Sequence, residues 1–227
     1  MRAMILCAGR GERMRPLTDA LPKPLLRVGG RPLVEWTIAR LAMAGVRDIV
    51  INHAHLGRSI EATLGDGARL GAAIRYSAEG EALETAGGIA TALPLLGDRP
   101  FIVANGDVWS DFDFARLVAH AASLESGSDV LAHLVLVPNP PHHPQGDFAL
   151  KAGRVALQGD ERFTYAGMGL YCPELFATTP AGARAKLAPL LVAAATQGTV
   201  TGEIHRGRWE DIGTPERLAA LDRSLRE

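Results

Sequence analysis

Apolar positions along the chain follow two rhythms. Short continuous runs, among them AMIL, IVIN and FIVAN, alternate with longer stretches in which apolar residues return every three or four positions. The runs predict strands over 3–7, 48–52, 73–77, 100–104 and 130–137, and the longer rhythm predicts helices over 33–44, 57–64, 87–95 and 114–123. In the first helix Leu33, Trp36, Thr37, Arg40, Leu41 and Ala44 fall at i, i+3, i+4 spacings, which lays one stripe against a sheet. Strand–helix alternation of this kind implies a three-layer α/β fold around a largely parallel sheet, with right-handed crossovers.

The rhythm changes after residue 137. PNPPHHPQGDF is a proline-rich loop, unsuited to helix or central strand. Strand pieces follow over 148–151, 154–157 and 166–172, then a helix over 186–197 and a strand over 200–205. The loop RWEDIGT leads to a closing helix from Pro215, with Thr214 as its N-cap and proline at the first helical position. No linker, repeat or low-complexity tract interrupts the 227 residues, so one domain over 1–227 is expected.

Composition narrows the function classes. A formal net charge of -1 points to neither a nucleic-acid nor a membrane partner. No apolar run approaches the roughly 20 residues that span a bilayer. The start MRAMILCAGR is too short in its apolar run for a signal peptide and passes into a glycine–arginine loop, so a cytoplasmic location is expected. Cys7 and Cys172 form no ligand or disulfide pattern and read as reduced thiols.

The charge is unevenly placed. Through Arg31 there are seven Lys/Arg (2, 10, 13, 15, 23, 27, 31) against two acids, Glu12 and Asp19. Glycine and proline interleave these cations, which marks a loop and not a solvated helix face. That loop, LCAGRGERMRPLTDALPKPL, directly follows the first strand.

A glycine loop after a first strand has several readings. The dinucleotide fingerprint G-x-G-x-x-G needs a third glycine, and here that position is Met14. The triphosphatase loop ends in Gly-Lys-Ser/Thr, which is absent. Backbone N–H groups and arginines wrapped around a triphosphate suit the remaining pattern. A simple turn with solvated arginines is the bland alternative. Downstream, Asp107 stands just past a strand in ANGDVWSD, where ligands gather in open α/β sheets, although a lone Asp there is often a turn residue. Asp211 lies in RWEDIGT; two carboxylates meeting at a triphosphate would suit Mg²⁺.

Together the glycine loop, the following PKP, the strand ending in GD and the late W-x-D-x-G-T closely resemble the sugar-1-phosphate nucleotidyltransferases, over nearly the whole chain. The resemblance implies a three-layer Rossmann-like nucleotidyltransferase fold with a central mixed, mostly parallel sheet. It implies a nucleotide-binding half over about 1–110 and a sugar-binding half over about 111–227. INHAHLG, LETAGGI, LPLLGD, NPPHHPQGDF and KLAPLL narrow it toward peptidoglycan recycling, implying UTP and N-acetylmuramate 1-phosphate as substrates. A guanylyltransferase of mannose 1-phosphate is the near alternative.

Residue by residue, the resemblance implies that Ala8, Gly9, Gly11, Arg13 and Arg15 hold the triphosphate and that Lys23 sits between the α-phosphate and the sugar phosphate. Glu84, Thr85, Gly87 and Gly88 correspond to a base-reading loop. Asp107 and Asp211 would carry Mg²⁺, and Asn105, Gly146, Asp147 and Gly167 would contact the sugar. Arg15, Lys23 and Asp107 are the expected catalytic residues. Two departures stand out: Cys7 replaces the usual alanine, and GDERFTYAG lacks the Glu-Lys-Pro of many relatives, leaving Lys186 to supply that charge. Fused acyltransferase or β-helix domains are not expected, and the chain is expected to act as a monomer or small homo-oligomer. Against an enzyme stands a non-catalytic nucleotide-sugar-binding regulatory protein; retention of Arg15, Lys23, Asp107 and Asp211 together argues against it.

Overall fold

The computed structural model describes residues 1–125 and 128–226. The first half contains strands β1 (Arg2–Leu6), β2 (Arg27–Val28), β3 (Arg31–Pro32), β4 (Asp48–His53), β5 (Ala73–Ala78), β6 (Phe101–Asn105) and β7 (Val108–Ser110). Its helices are α1 (Leu33–Met43), α2 (Gly57–Leu64) and α3 (Glu84–Leu96). The second half contains α4 (Ala115–Glu125), β8 (Ala132–Val137), β9 (Phe148–Lys151), β10 (Arg154–Ala156) and β11 (Arg162–Tyr171). It closes with α5 (Leu187–Thr196), β12 (Val200–Ile204), β13 (Trp209–Asp211) and α6 (Pro215–Ser224).

Nine strands form one sheet in the order β5-β4-β1-β6-β11-β8-β12-β10-β9. The parallel ladders β4–β5, β1–β4 and β1–β6 make up its first half. In the second half β11 runs antiparallel to β6 and β8, β12 is parallel to β8, and β10 is antiparallel to its neighbours. Only β11 and β10 therefore oppose the common direction, and the sheet is mixed with a mostly parallel sense. Every residue of β8 and the centre of β1 are buried, as continuous apolar runs covered on both faces require.

Helices cover both faces. Ile38 and Leu41 of α1, Ile60 of α2 and Leu117 of α4 join the core on one side. Ile89 and Leu96 of α3 with Leu187 and Leu191 of α5 join it on the other. A smaller cluster around Met14, Leu33, Trp109, Ile212 and Leu221 ties the N-terminal loop to α1, α6 and a separate β7–β13 ribbon. Trp36 meets Trp109 edge-on at 6.1 Å and donates to the Val28 carbonyl at 3.1 Å, fixing the segment that follows the Pro-Lys-Pro turn.

Three segments depart from the sequence expectations. The helix expected over 87–95 begins three residues earlier at Glu84, so the base-reading loop implied by the resemblance (Glu84, Thr85, Gly87, Gly88) is the first turns of α3. The glycines imitate a turn signal, yet they are needed for close packing: a Cβ on Gly87 would lie 2.1 Å from the Ala183 carbonyl oxygen, and one on Gly88 would lie 2.5 Å from Glu79 Oε1. The strand expected over 166–172 starts at Arg162, because a bulge between Tyr165 and Gly169 breaks the alternation and Gly167 takes φ 72°. RWEDIGT is not all loop: β13 pairs with β7, and each is too short for its pattern to stand out. The N-cap at Thr214 is present, its side chain accepting from the Arg217 N–H at 3.4 Å.

Phe101 is fully buried and stacks on Phe176 at 6.2 Å. Phe101→Ala is expected to cost about 3–5 kcal/mol through lost burial and the cavity left behind, read as a lowered urea midpoint with unchanged m-value. A loss below about 1 kcal/mol would mean that this face is not the packed core described.

Candidate active site

Strand β1 ends in the middle of the parallel half, and its two neighbours end beside it. Leu6 is registered with Asn52 of β4 on one side and with Asn105 of β6 on the other. The chain leaves the sheet there as Cys7–Gly11. The Cys7 N–H donates to Asn52 Oδ1 at 2.9 Å, and Asn52 Nδ2 donates to Glu79 Oε1 at 2.6 Å. Glu79 Oε2 accepts from the Leu83 N–H at 2.9 Å. One buried asparagine thus fixes both the glycine loop and the entry to α3.

Gly11 adopts φ 64°, and Thr18 Oγ1 donates to its carbonyl at 2.8 Å. A Cβ there would stand 3.0 Å from Thr18 Cγ2 and 3.2 Å from Lys23 Cβ, so glycine permits both the turn and the approach of the lysine. Gly106 is similarly constrained: its N–H donates to the Leu6 carbonyl at 2.9 Å, and a Cβ would lie 2.6 Å from Cys7 Sγ.

These segments enclose a cleft of about 700 Å³ at the carboxyl ends of β1, β4 and β6. Lys23, with its residue only 9% exposed, reaches through the Pro-Lys-Pro turn to form an ion pair with Asp107. A buried ammonium of this kind requires such a partner. Arg10 and Arg13 line the same cleft on the glycine-loop side, and Glu84, Thr85 and Arg184 line it opposite.

The expected site residues divide into those at the cleft and those away from it. Ala8, Gly9, Gly11, Arg13, Lys23, Glu84, Thr85, Asn105 and Asp107 line it. Arg15 does not; its guanidinium pairs with Asp19 at 3.2 Å on the exposed side of the loop. Gly87 and Gly88 lie behind the wall, packed against the 183–185 segment and against Glu79 and Asn52. Lys186 is the N-cap residue of α5 and is outside the cleft lining; Arg184, two residues earlier, is that segment's cation at the cleft, 3.0 Å from Glu84.

Of the sugar candidates, Asn105 lines the cleft, whereas Gly146, Asp147 and Gly167 lie outside its lining. Gly167 packs so closely that a Cβ would fall 2.4 Å from Asn105 Nδ2. Asp147 is engaged within its own half: Oδ2 accepts from the Tyr165 N–H at 2.8 Å, and Oδ1 lies 3.0 Å from His143 Nε2. Gly146, at φ 58°, fits where a Cβ would be 2.5 Å from Asn139 Oδ1.

Asp107 and Asp211 occupy neighbouring segments. Asp211 is opposite Val108 in the β7–β13 ladder, and the Ile212 N–H donates to the Asp107 carbonyl at 3.0 Å. Their carboxylates have different partners: Asp107 takes Lys23, whereas Asp211 takes Arg217 at 2.6 Å and His142 at 3.0 Å. Both are partly exposed oxygen donors on adjacent backbone, the donor type that Mg²⁺ takes, but Asp107 lines the cleft whereas Asp211 is turned to Arg217 and His142 outside its lining.

Asn52, Arg10 and Arg184 also line the cleft, although no motif singles them out. Asn52 carried a usable signal: IVIN and IVAN both end an apolar strand in asparagine, and parallel register places the two ends side by side. Arg184 carried none, because only the fold brings residue 184 to the start of α3.

This cleft and fold belong to a known class: the model of the nucleotidyl transferase family matches residues 2–227, and the chain is a member of that family. Among curated relatives, it is 54% identical to the N-acetylmuramate alpha-1-phosphate uridylyltransferase of Neisseria meningitidis serogroup B, over 96% of this chain and 95% of that one. The protein of the same name from Caulobacter vibrioides is 35% identical, over 99% of this chain and 97% of its own length. A candidate glucose-1-phosphate thymidylyltransferase from Bacillus anthracis, solved in complex with a sucrose, aligns over 100% of this chain and 96% of its own with a TM-score of 0.86. At 22% identity that likeness supports the fold alone.

Burial pushes the Cys7 thiol far up from its ordinary value, and the Asp107 charge adds to the effect. The thiol therefore stays protonated at pH 8, where an exposed cysteine is substantially ionised. Peptide mapping after maleimide treatment of the native chain at pH 8 is expected to find Cys7 unmodified, with labelling only after unfolding in urea. Native-state labelling at the rate of a free thiol would contradict the sealed loop base.

Proposed function

We propose that this chain transfers UMP from UTP to N-acetylmuramate 1-phosphate, giving UDP-N-acetylmuramate and pyrophosphate in cytoplasmic peptidoglycan recycling. The observation that carries the reading is the Lys23–Asp107 pair at the glycine loop, in a chain 54% identical over nearly its full length to a uridylyltransferase of that name. Residues over about 1–110 would serve the nucleotide and those over about 111–227 the sugar.

In this reaction a phosphate oxygen of the sugar phosphate forms a bond to the α-phosphorus, and the bond to the bridging oxygen of the leaving pyrophosphate breaks. The nucleophile needs no general base: with a second pKa near 6 it is mostly a dianion at neutral pH. Repulsion between two polyanions is the obstacle, so positioning and charge neutralisation carry the catalysis. Lys23 would lie between the two phosphates, exchanging part of its contact with Asp107 for theirs. Arg13 and the N–H groups of Ala8, Gly9 and Gly11 would hold the triphosphate. Arg15 would swing from Asp19 to the departing pyrophosphate; an exposed pair of that kind is worth only about 0–1 kcal/mol, so little opposes the movement.

Asp107 and Asp211 would hold Mg²⁺, which supplies charge neutralisation at the triphosphate when bound. Glu84 and Thr85, at the first turn of α3, would read the uracil edge, with Gly87 and Gly88 allowing that turn to sit close behind. Asn105 would contact the sugar, held in place by Gly167, while Gly146, Asp147 and Lys186 shape the sugar-side half.

A matrix of five nucleoside triphosphates against several sugar 1-phosphates, scored by Mg²⁺-dependent pyrophosphate release, tests the proposal. UTP with N-acetylmuramate 1-phosphate is expected to give the highest kcat/KM. A lead for GTP with mannose 1-phosphate would overturn the substrate assignment, and no release from any pair would overturn the enzyme reading.

A further inference from the structure

On the sheet face covered by α4, well away from the cleft, three metal-binding side chains come together. Alternation along β8 sends Ala132, Leu134 and Leu136 to the α3–α5 side and His133 to the α4 side. β12 runs parallel beside it, with Thr201 opposite His133 and Glu203 opposite Val135, so Thr201 and Glu203 share that face. His120 of α4 stacks its ring on His133, with centroids 4.0 Å apart and planes 21° from parallel, so His120 must turn out of that stack before both rings can point a nitrogen at one ion. One ligand atom each from His120, His133 and Glu203 lie within 4.8 Å of one another.

Two of these atoms carry the argument. His133 is only 3% exposed; its Nδ1 lies 2.9 Å from Thr201 Oγ1, while Nε2 faces Glu203 Oε1 at 3.7 Å. Nε2 and Oε1 are both buried without a hydrogen-bond partner. Their separation is too long for a hydrogen bond, so each gives up its solvation on burial and gains no partner in return. It is close to the spacing of two ligands on one four-coordinate ion, about 3.3 Å for bonds of about 2.0–2.1 Å. The surroundings fit that reading: Thr201 fixes the His133 ring through Nδ1, and Arg116 pairs with the other oxygen of Glu203.

We propose that His120, His133 and Glu203 form a site for a late first-row divalent cation, Zn²⁺ foremost, which clamps α4 to β8 and β12. Two imidazoles and one carboxylate suit Zn²⁺, with water as a fourth ligand, and not Mg²⁺ with its demand for oxygen donors. The site is separate from the cleft. His133 is level with Leu170 on β11, and Leu170 with Ile102 on β6, three residues short of Asn105 and so about 10 Å down the strand. Two strand spacings add about 10 Å sideways. The competing account is a simple ion-pair relay from Arg116 through Glu203 to His133, which would need no metal.

Titration of the metal-free full-length chain with Co²⁺, read by its visible absorption, separates the two. One equivalent is expected to bind with a four- or five-coordinate spectrum, to be displaced by Zn²⁺ and not by Mg²⁺, and to persist in Asp107→Asn. His133→Gln and His120→Ala are each expected to weaken binding by at least about tenfold. His120→Ala changes a partly exposed helix position, so it reports even where the buried His133→Gln fails to fold. No Co²⁺ binding, binding unchanged by His120→Ala, or binding abolished by Asp107→Asn alone would overturn the site.

Discussion

The cleft is built around one ion pair, Lys23 with Asp107. The ammonium is nearly enclosed, and a buried charge of that kind needs an opposite partner within reach. Satisfying that requirement brings the Pro-Lys-Pro turn against the end of β6, which in turn closes the glycine loop between them. Other features follow from the same closeness: glycine at position 11, where Lys23 Cβ passes, and at 106, where Cys7 Sγ passes. The ion pair also leaves one side open, because Asp107 keeps partial exposure at the cleft. A site that must accept two polyanions needs such a cation, fixed in advance and not yet neutralised on every side.

A second constraint is the asparagine pair at the strand ends. Asn52 and Asn105 flank Leu6 at the same level, one holding the glycine loop through the Cys7 N–H and the other lining the cleft. Parallel pairing of β4, β1 and β6 produces this symmetry. The binding cleft thus lies where strand ends gather in open α/β sheets, and the helices on either face hold those ends level.

Much of this was legible in the sequence because the signals were local. The AMIL, IVIN and FIVAN runs marked the parallel strands, the periodicity at 33–44 marked α1, and Thr214-Pro215 marked the start of α6. Illegible parts depended on distant partners. Periodicity marked a helix from residue 87, but why 87 and 88 are glycine was hidden, because the reason is the approach of residues 183 and 79. β7 and β13 are strands only because each has the other. Arg184 reaches the cleft through backbone bonds between Ala185 and both Leu83 and Gly87, which no local pattern announces. Arg15 and Asp211 show a different limit: their carriers were identifiable, but their present partners, Asp19 and Arg217 with His142, arise from the fold.

Pyrophosphate release by Lys23→Ala, Asp107→Ala and the double variant, measured beside their thermal melting, tests the central claim most directly. Two residues acting as one unit predict that each single change lowers kcat by about 10²–10³-fold, that the double change is little worse, and that all three variants remain folded. Near-wild-type release from either folded single variant would contradict the role assigned to the pair.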